Sequence, residues 1–183
     1  MTGTELALPL EFFNRPADKV ARDLLGKALV RRRGQTVTLH TVTETEAYIG
    51  PQDLASHSAG GRRTKRTEIM FGPGGRFYVY FVYGMHWMLN VVTGAAGYPA
   101  AVLIRGVDDL EGPARLTRAL HITGALNGAP ACEATGLWFA DRGEPLPRGA
   151  ILRTPRIGVD YAGPAWAAKK YRFALKQDVR RRR

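Results

Sequence analysis

The sequence is poor in cysteine. Cys132 is the only one among 183 residues, so no disulfide framework can form and no thiolate cluster can hold a metal. That fits a reducing cytosol. Histidine is nearly as sparse. His40, His57, His86 and His121 show none of the short spacings of a metal site, and nothing in the chain calls for a metal. No apolar run is long enough to cross a bilayer, and no basic amphipathic helix is present to lie on one. The N-terminus lacks the charged start, apolar stretch and small-residue cleavage site of a secretory leader. No glycine-rich phosphate motif follows a strand, which argues against a nucleotide cofactor. Internal repeats and long linkers are absent too.

Acidic residues are outnumbered, 16 against 27 basic ones, giving a formal charge of +11 and a pI near 10.3. Folding does not need such a surplus. It attracts polyanions and raises association rates at low salt. Charge alone is equally compatible with a structural nucleic-acid binder. The length suits one domain spanning residues 1–183, and 45% hydrophobic residues suffice for a sizeable core.

Hydrophobic periodicity places the elements. Residues 14–26 read as a short helix, with Pro16 in the first turn, Val20, Ala21, Leu24 and Leu25 as the apolar stripe and Gly26 as the stop. Residues 28–32 and 36–48 read as strands, and 50–75 as a long loop rich in Gly, Pro, Ser and basic residues. Phe77 to Tyr83 and His86 to Val92 form a hairpin about Gly84, and Ala101 to Arg105 is a further buried strand. Residues 113–122 read as a helix with Leu116, Ala119 and Leu120 inward, 124–148 as irregular and Arg156 to Val159 as a late strand. The tail 180–183 is a charge run of the disordered type. Strands and helices do not alternate regularly, so the expected class is α+β, a single mixed domain around an antiparallel sheet with a protruding β-hairpin.

Several groups of residues could carry chemistry. Glu44, Glu46 and Tyr48 share one face of a strand, about 7 Å apart per two residues. Two carboxylates so placed repel, which can raise one pKa; an exposed sheet edge has the same pattern. Arg105 ends an apolar run where an unpaired charge is costly, so Glu46 or Glu44 is the expected partner. Asn90, in an apolar strand, either makes structural hydrogen bonds or reads a base edge. Tyr78 and Tyr80 point to one side of their strand, and Tyr83 at a hairpin tip is placed to act as a wedge. His57 lies in a glycine-containing loop that a ligand could approach closely. Arg62, Arg63, Lys65 and Arg66 are candidate phosphate contacts, with Arg115 and Arg118 in addition.

In these residues the chain resembles the alkyladenine (3-methyladenine) DNA glycosylase family of base-excision repair enzymes. The matching segments are Glu44–Tyr48, Ala55–Ser58, Gly60–Arg62, Met70–Phe71, Tyr78–Tyr80, Tyr83–Met85, Asn90, Leu103–Arg105 and Arg156–Val159, in order over nearly the whole chain. The resemblance implies a fold similar to the C-terminal domain of methionyl-tRNA formyltransferase, with no metal or other cofactor. It implies that Glu46 activates water and Arg105 helps to hold it. Tyr48, His57 and Tyr80 would enclose a flipped base, the backbone N–H at His57 would read its edge, and Asn90 would disfavour guanine. Tyr83 would intercalate, with Met85 beside it. The implied activity is monofunctional: a damaged purine in duplex DNA is flipped and its N-glycosidic bond hydrolysed, without strand cleavage because no lysine stands beside Glu46. The protein is expected to be a monomer with duplex DNA, not membrane, as partner. The short N-terminus favours a bacterial source, hence a cytoplasmic, nucleoid-associated location. One departure is Lys170, where the family's proline is expected, which would loosen the C-terminal segment or add a DNA contact. The residues also leave open a non-catalytic nucleic-acid-binding module and, as a third class, a metal-dependent hydrolase.

Overall fold

The longest strand organises the molecule. In the computed structural model, which describes residues 6–176 and 179, Thr36–Tyr48 runs as one strand of about 43 Å at the usual rise per residue. Its first half pairs with Ala28–Arg33. Its second half lies between Ala100–Val107 on one side and Arg172–Leu175 on the other. In chain order the strands are β1 (Leu6–Ala7), β2 (Ala28–Arg33), β3 (Thr36–Tyr48), β4 (Phe77–Val82), β5 (His86–Thr93), β6 (Ala100–Val107), β7 (Leu110–Glu111), β8 (Leu137–Asp141), β9 (Ile151–Thr154) and β10 (Arg172–Leu175). They form a sheet in the order β1-β8-β2-β3-β6-β5-β4, with β7, β9 and β10 attached at its side, and every pair is antiparallel. Helices α1 (Ala17–Asp23), α2 (Pro113–Ala119) and α3 (Pro164–Ala167) are short. The result is the expected mixed domain around an antiparallel sheet, and none of these helices is long and apolar enough to cross a membrane.

One face of the sheet makes the main core. Phe77, Val79, Leu89, Val91, Val102 and Ile104 pack there against Val20 and Ala21 of α1, Leu24 at its C-cap and Leu116 of α2. Val42 and Ala47 both join this core although their spacing is odd. A double irregularity between β3 and β6, on either side of Glu44, permits it: first β3 and then β6 carries an extra residue, Thr43 and Arg105 respectively, each without a partner in this ladder. Such bulges re-aim side chains. Here the result is that Arg105 stands beside Glu44 and Glu46.

Several expected elements differ. The first helix covers 17–23, not 14–26, because Pro16 holds a non-helical geometry (φ −53°, ψ 137°) and serves as its N-cap. Residues 124–148 are not all irregular: Leu137–Asp141 is β8, wedged between β1 and β2. Its first four residues are buried, so it lacks the alternation that marks a strand. Arg156 to Val159 is a bend and not a strand, with Gly158 at φ 73°; the late strands are β9 and β10 instead. Ala119 is exposed, since α2 buries only Leu116 and Thr117, followed by Leu120 at its C-cap. Despite Lys170, the C-terminal segment is tied in: the Lys170 carbonyl accepts from Arg153 and the chain continues directly into β10. The tail 180–183 lies outside the described residues.

Candidate active site

The face of the sheet opposite the main core carries the site. Residues directly opposite in antiparallel strands share a face, and the register aligns Arg172, Glu46, Leu103, Asn90 and Tyr78 in one row across β10, β3, β6, β5 and β4. Tyr48, Ala101 and Val92 form the next row, and Tyr80 stands two residues beyond Tyr78. Residues remote in sequence thus meet because the register puts them in line.

The two carboxylates have different surroundings. Glu44 is gripped by two arginines, Arg172 Nε at 2.6 Å and Arg105 Nε at 2.9 Å. Burial pushes its pKa up, but these charged hydrogen bonds outweigh it and hold Glu44 below the ordinary value. Glu46 is fully buried and accepts from neutral donors, the Tyr48 hydroxyl at 3.0 Å and the Ile157 N–H at 2.9 Å. Arg105 Nε stands 3.5 Å from it, an electrostatic contact rather than a strong hydrogen bond. Burial raises the Glu46 pKa, only partly opposed by Arg105, Ile157 and Tyr48. Glu46 and Arg105, 59 positions apart by their numbers, therefore do converge, while Arg105 spends its short hydrogen bond on Glu44.

A cavity of about 50 Å³ opens above them, walled by Tyr48, His57, Tyr80, Asn90, Met70 and Tyr161 among others. All four side chains expected to hold a base line it. Glu46 and Arg105 lie beneath the lining, with the Tyr48 hydroxyl as the link to Glu46. His57 Nδ1 is 3.0 Å from the Tyr78 hydroxyl, and its ring meets Tyr80 edge-on at 4.7 Å. Burial, then the charge of Arg66, lowers the His57 pKa to about 4, so the ring is neutral at physiological pH. Asn90 donates from Nδ2 to the Tyr78 carbonyl at 3.0 Å, so its structural role is realised at the same place as its exposure to the cavity.

The hairpin and basic loop form the rim. Tyr83, at φ 53°, is 87% exposed and Met85 66%. Arg62 is exposed, as is Lys65. Arg63 is engaged by Glu68 through two hydrogen bonds of 2.8 and 2.6 Å. Arg66 stacks on Tyr80 at 4.7 Å, which places it at the pocket wall rather than out among the other cations. Among the described residues no group of three His, Cys, Asp or Glu side chains could hold a metal.

Three residues enter the site unforeseen. Arg156, wholly buried, donates to both oxygens of Asp53 at 2.5 and 2.8 Å and to the Ala47 carbonyl at 2.9 Å, and its guanidinium lies 4.8 Å from the Tyr48 ring. Asp53 in turn accepts from the Ile49 and Ala55 N–H groups. One ion pair so ties the end of β3 to the loop that carries His57. Tyr161 closes the cavity from a third segment. Arg156 stands among the matching motifs, but its partner is a loop aspartate with no pattern around it, and Tyr161 lies in a turn without periodicity.

A buried carboxylate beside an arginine thus lies under a cavity walled by aromatic rings, one of them covered by a cation. The chain matches the family model of methylpurine-DNA glycosylases over residues 11–111 and 108–179, and it belongs to that family. Among its relatives is a protein of Myxococcus xanthus, 49% identical over 175 residues that cover 91% of this chain and 88% of that protein. Another, of Anaeromyxobacter sp., is 46% identical over 177 residues, covering 93% and 89%. A third, of Methanocella arvoryzae, is 44% identical over 186 residues, covering 91% and 90%. Each is named, provisionally, a 3-methyladenine DNA glycosylase.

Proposed function

We propose that this protein is a monofunctional DNA glycosylase that removes alkylated purines, 3-methyladenine among them, from duplex DNA. The observation that carries the reading is Glu46: a fully buried carboxylate with a raised pKa, 3.5 Å from Arg105, beneath an aromatic cavity. The exposed Tyr83 enters the base stack and a damaged nucleotide turns out into the cavity, between Tyr48 and the His57–Tyr80 pair. Glu46 takes a proton from a water, whose oxygen bonds to C1′ while the glycosidic bond breaks and its electrons pass to the base. A base alkylated at N3 or N7 is cationic and leaves as a neutral molecule, so it needs no acid. Aromatic faces favour such cations, and Tyr48 and Tyr80 offer them. Among the described residues no lysine lines the cavity, consistent with hydrolysis alone and no strand cleavage.

The test is incubation of the protein with methylated duplex DNA, analysis of the released bases, then alkali to reveal abasic sites. Release of 3-methyladenine, with strand breaks appearing only after alkali, supports the reading. DNA binding without release would instead assign a non-catalytic binding module, and breaks before alkali would assign a lyase.

A further inference from the structure

The cavity is small, about 50 Å³, so the side chains that wall it limit what can enter. Most walls are locked. Tyr48 is fixed at its hydroxyl by Glu46 and backed by Arg156. Tyr80 is covered by Arg66 and braced by His57, which is itself bonded to Tyr78. Tyr161 differs. It is 70% exposed, although it lines the cavity. It projects from a single turn, Asp160–Ala162, that ends at Gly163 with φ 80°. Its hydroxyl donates to the Ala55 carbonyl at 2.7 Å, across the mouth to the loop carrying His57.

Resting on the base-excision reading, we infer that Tyr161 is the specificity-determining gate of the pocket: it swings off Ala55 to admit a base and limits the size of the base admitted. Small N-alkyl purines pass with a modest displacement. Purines that carry an additional fused ring need the gate fully open. Tyr161→Phe removes only the latch to Ala55, whereas Tyr161→Ala removes the gate. The ring is mostly exposed, so both variants are expected to fold, which thermal melting checks.

Single-turnover excision is measured for wild type, Tyr161→Phe and Tyr161→Ala on duplexes carrying 7-methylguanine or ethenoadenine. The expected result is a rise of several-fold in the ethenoadenine to 7-methylguanine rate ratio for Tyr161→Ala, and a smaller rise for Tyr161→Phe. An unchanged or reduced ratio in both variants overturns the gate. Free ethenoadenine, which is fluorescent, supplies a readout independent of catalysis through its anisotropy on binding. Tighter binding by Tyr161→Ala than by wild type supports the gate; equal binding, or none by any of the three proteins, overturns it. If wild type releases no base from either duplex, the excision reading falls, and free-base binding alone decides on the gate.

Discussion

The floor of the pocket and its rim are built by opposite rules. At the floor, charged groups are buried and answered: Glu44 by Arg105 and Arg172, Asp53 by Arg156. At the rim, Tyr83, Met85, Arg62 and Lys65 face solvent. A buried polar network tolerates few arrangements, because each broken hydrogen bond strands a group at low dielectric. An exposed rim reorders at little cost and can adapt to a duplex. Changes at the floor should therefore alter bond cleavage or folding, and changes at the rim should alter DNA capture.

The largest effect is expected at Glu46. Glu46→Gln keeps the shape and can still accept from Tyr48 and Ile157, but it cannot take a proton. Base release should fall by about 10²–10⁴-fold, the usual contribution of a general base, while DNA affinity by fluorescence anisotropy stays nearly constant. A parallel loss of affinity would erase the division between floor and rim. Next in size is Asp53→Asn, which leaves the Arg156 charge uncompensated in the interior. Loss of one partner of a buried pair costs about 3–5 kcal/mol, to be read from urea unfolding. Arg62→Ala, at the exposed rim, should change stability by less than about 0.5 kcal/mol. Similar losses from both substitutions would contradict the comparison.

The same division explains what was legible in the sequence. Hydrophobic period and strand chemistry were sufficient for β3, β4, β5 and β6, and hence for the face shared by Glu44, Glu46 and Tyr48. The need of Arg105 for a carboxylate followed from its apolar neighbours. Which carboxylate receives the short hydrogen bond did not follow, because that depends on the bulge opposite Glu44 and on Arg172 arriving from β10. Arg156 was hidden for a related reason: its partner, its stacking surface and its backbone acceptor come from Asp53, Tyr48 and Ala47, more than 100 positions away. Burial on both faces of β8 removes the alternation by which strands are recognised, so that strand was hidden as well. Arg66 could not be told from Arg62 or Lys65 without the position of Tyr80.

A smaller effect tests the electrostatics of the floor. Burial places the Glu46 pKa above its ordinary value of 4.5, and Arg105 opposes that rise. The base must be ionised to act, so excision of a cationic purine should increase as pH rises through the Glu46 pKa. The sign for stability is opposite: folding favours the protonated carboxyl, so Glu46 contributes less as pH rises from 4.5 through its folded pKa. Arg105→Gln removes the opposing charge while Glu44 keeps Arg172. The acid limb of the single-turnover pH profile should move to higher pH. A limb that stays in place, or moves to lower pH, would mean that Arg105 serves Glu44 alone.

The smallest effect separates the four loop cations. Removing one phosphate-binding cation lowers the slope of log affinity against log salt by about 0.9 for duplex DNA. Arg62→Ala and Lys65→Ala should each approach that value, since both side chains lie at the rim. Arg63 is already paired with Glu68, so a phosphate must compete with a carboxylate for it and Arg63→Ala should change the slope less. Arg66→Ala should leave the slope nearly unchanged and instead alter excision, because its guanidinium covers Tyr80 and its charge helps to keep His57 neutral. Salt titrations of binding for the four variants, with excision rates measured alongside, would rank them. Four equal slopes would make the loop a uniform electrostatic surface and would return Arg66 from the pocket wall to the rim.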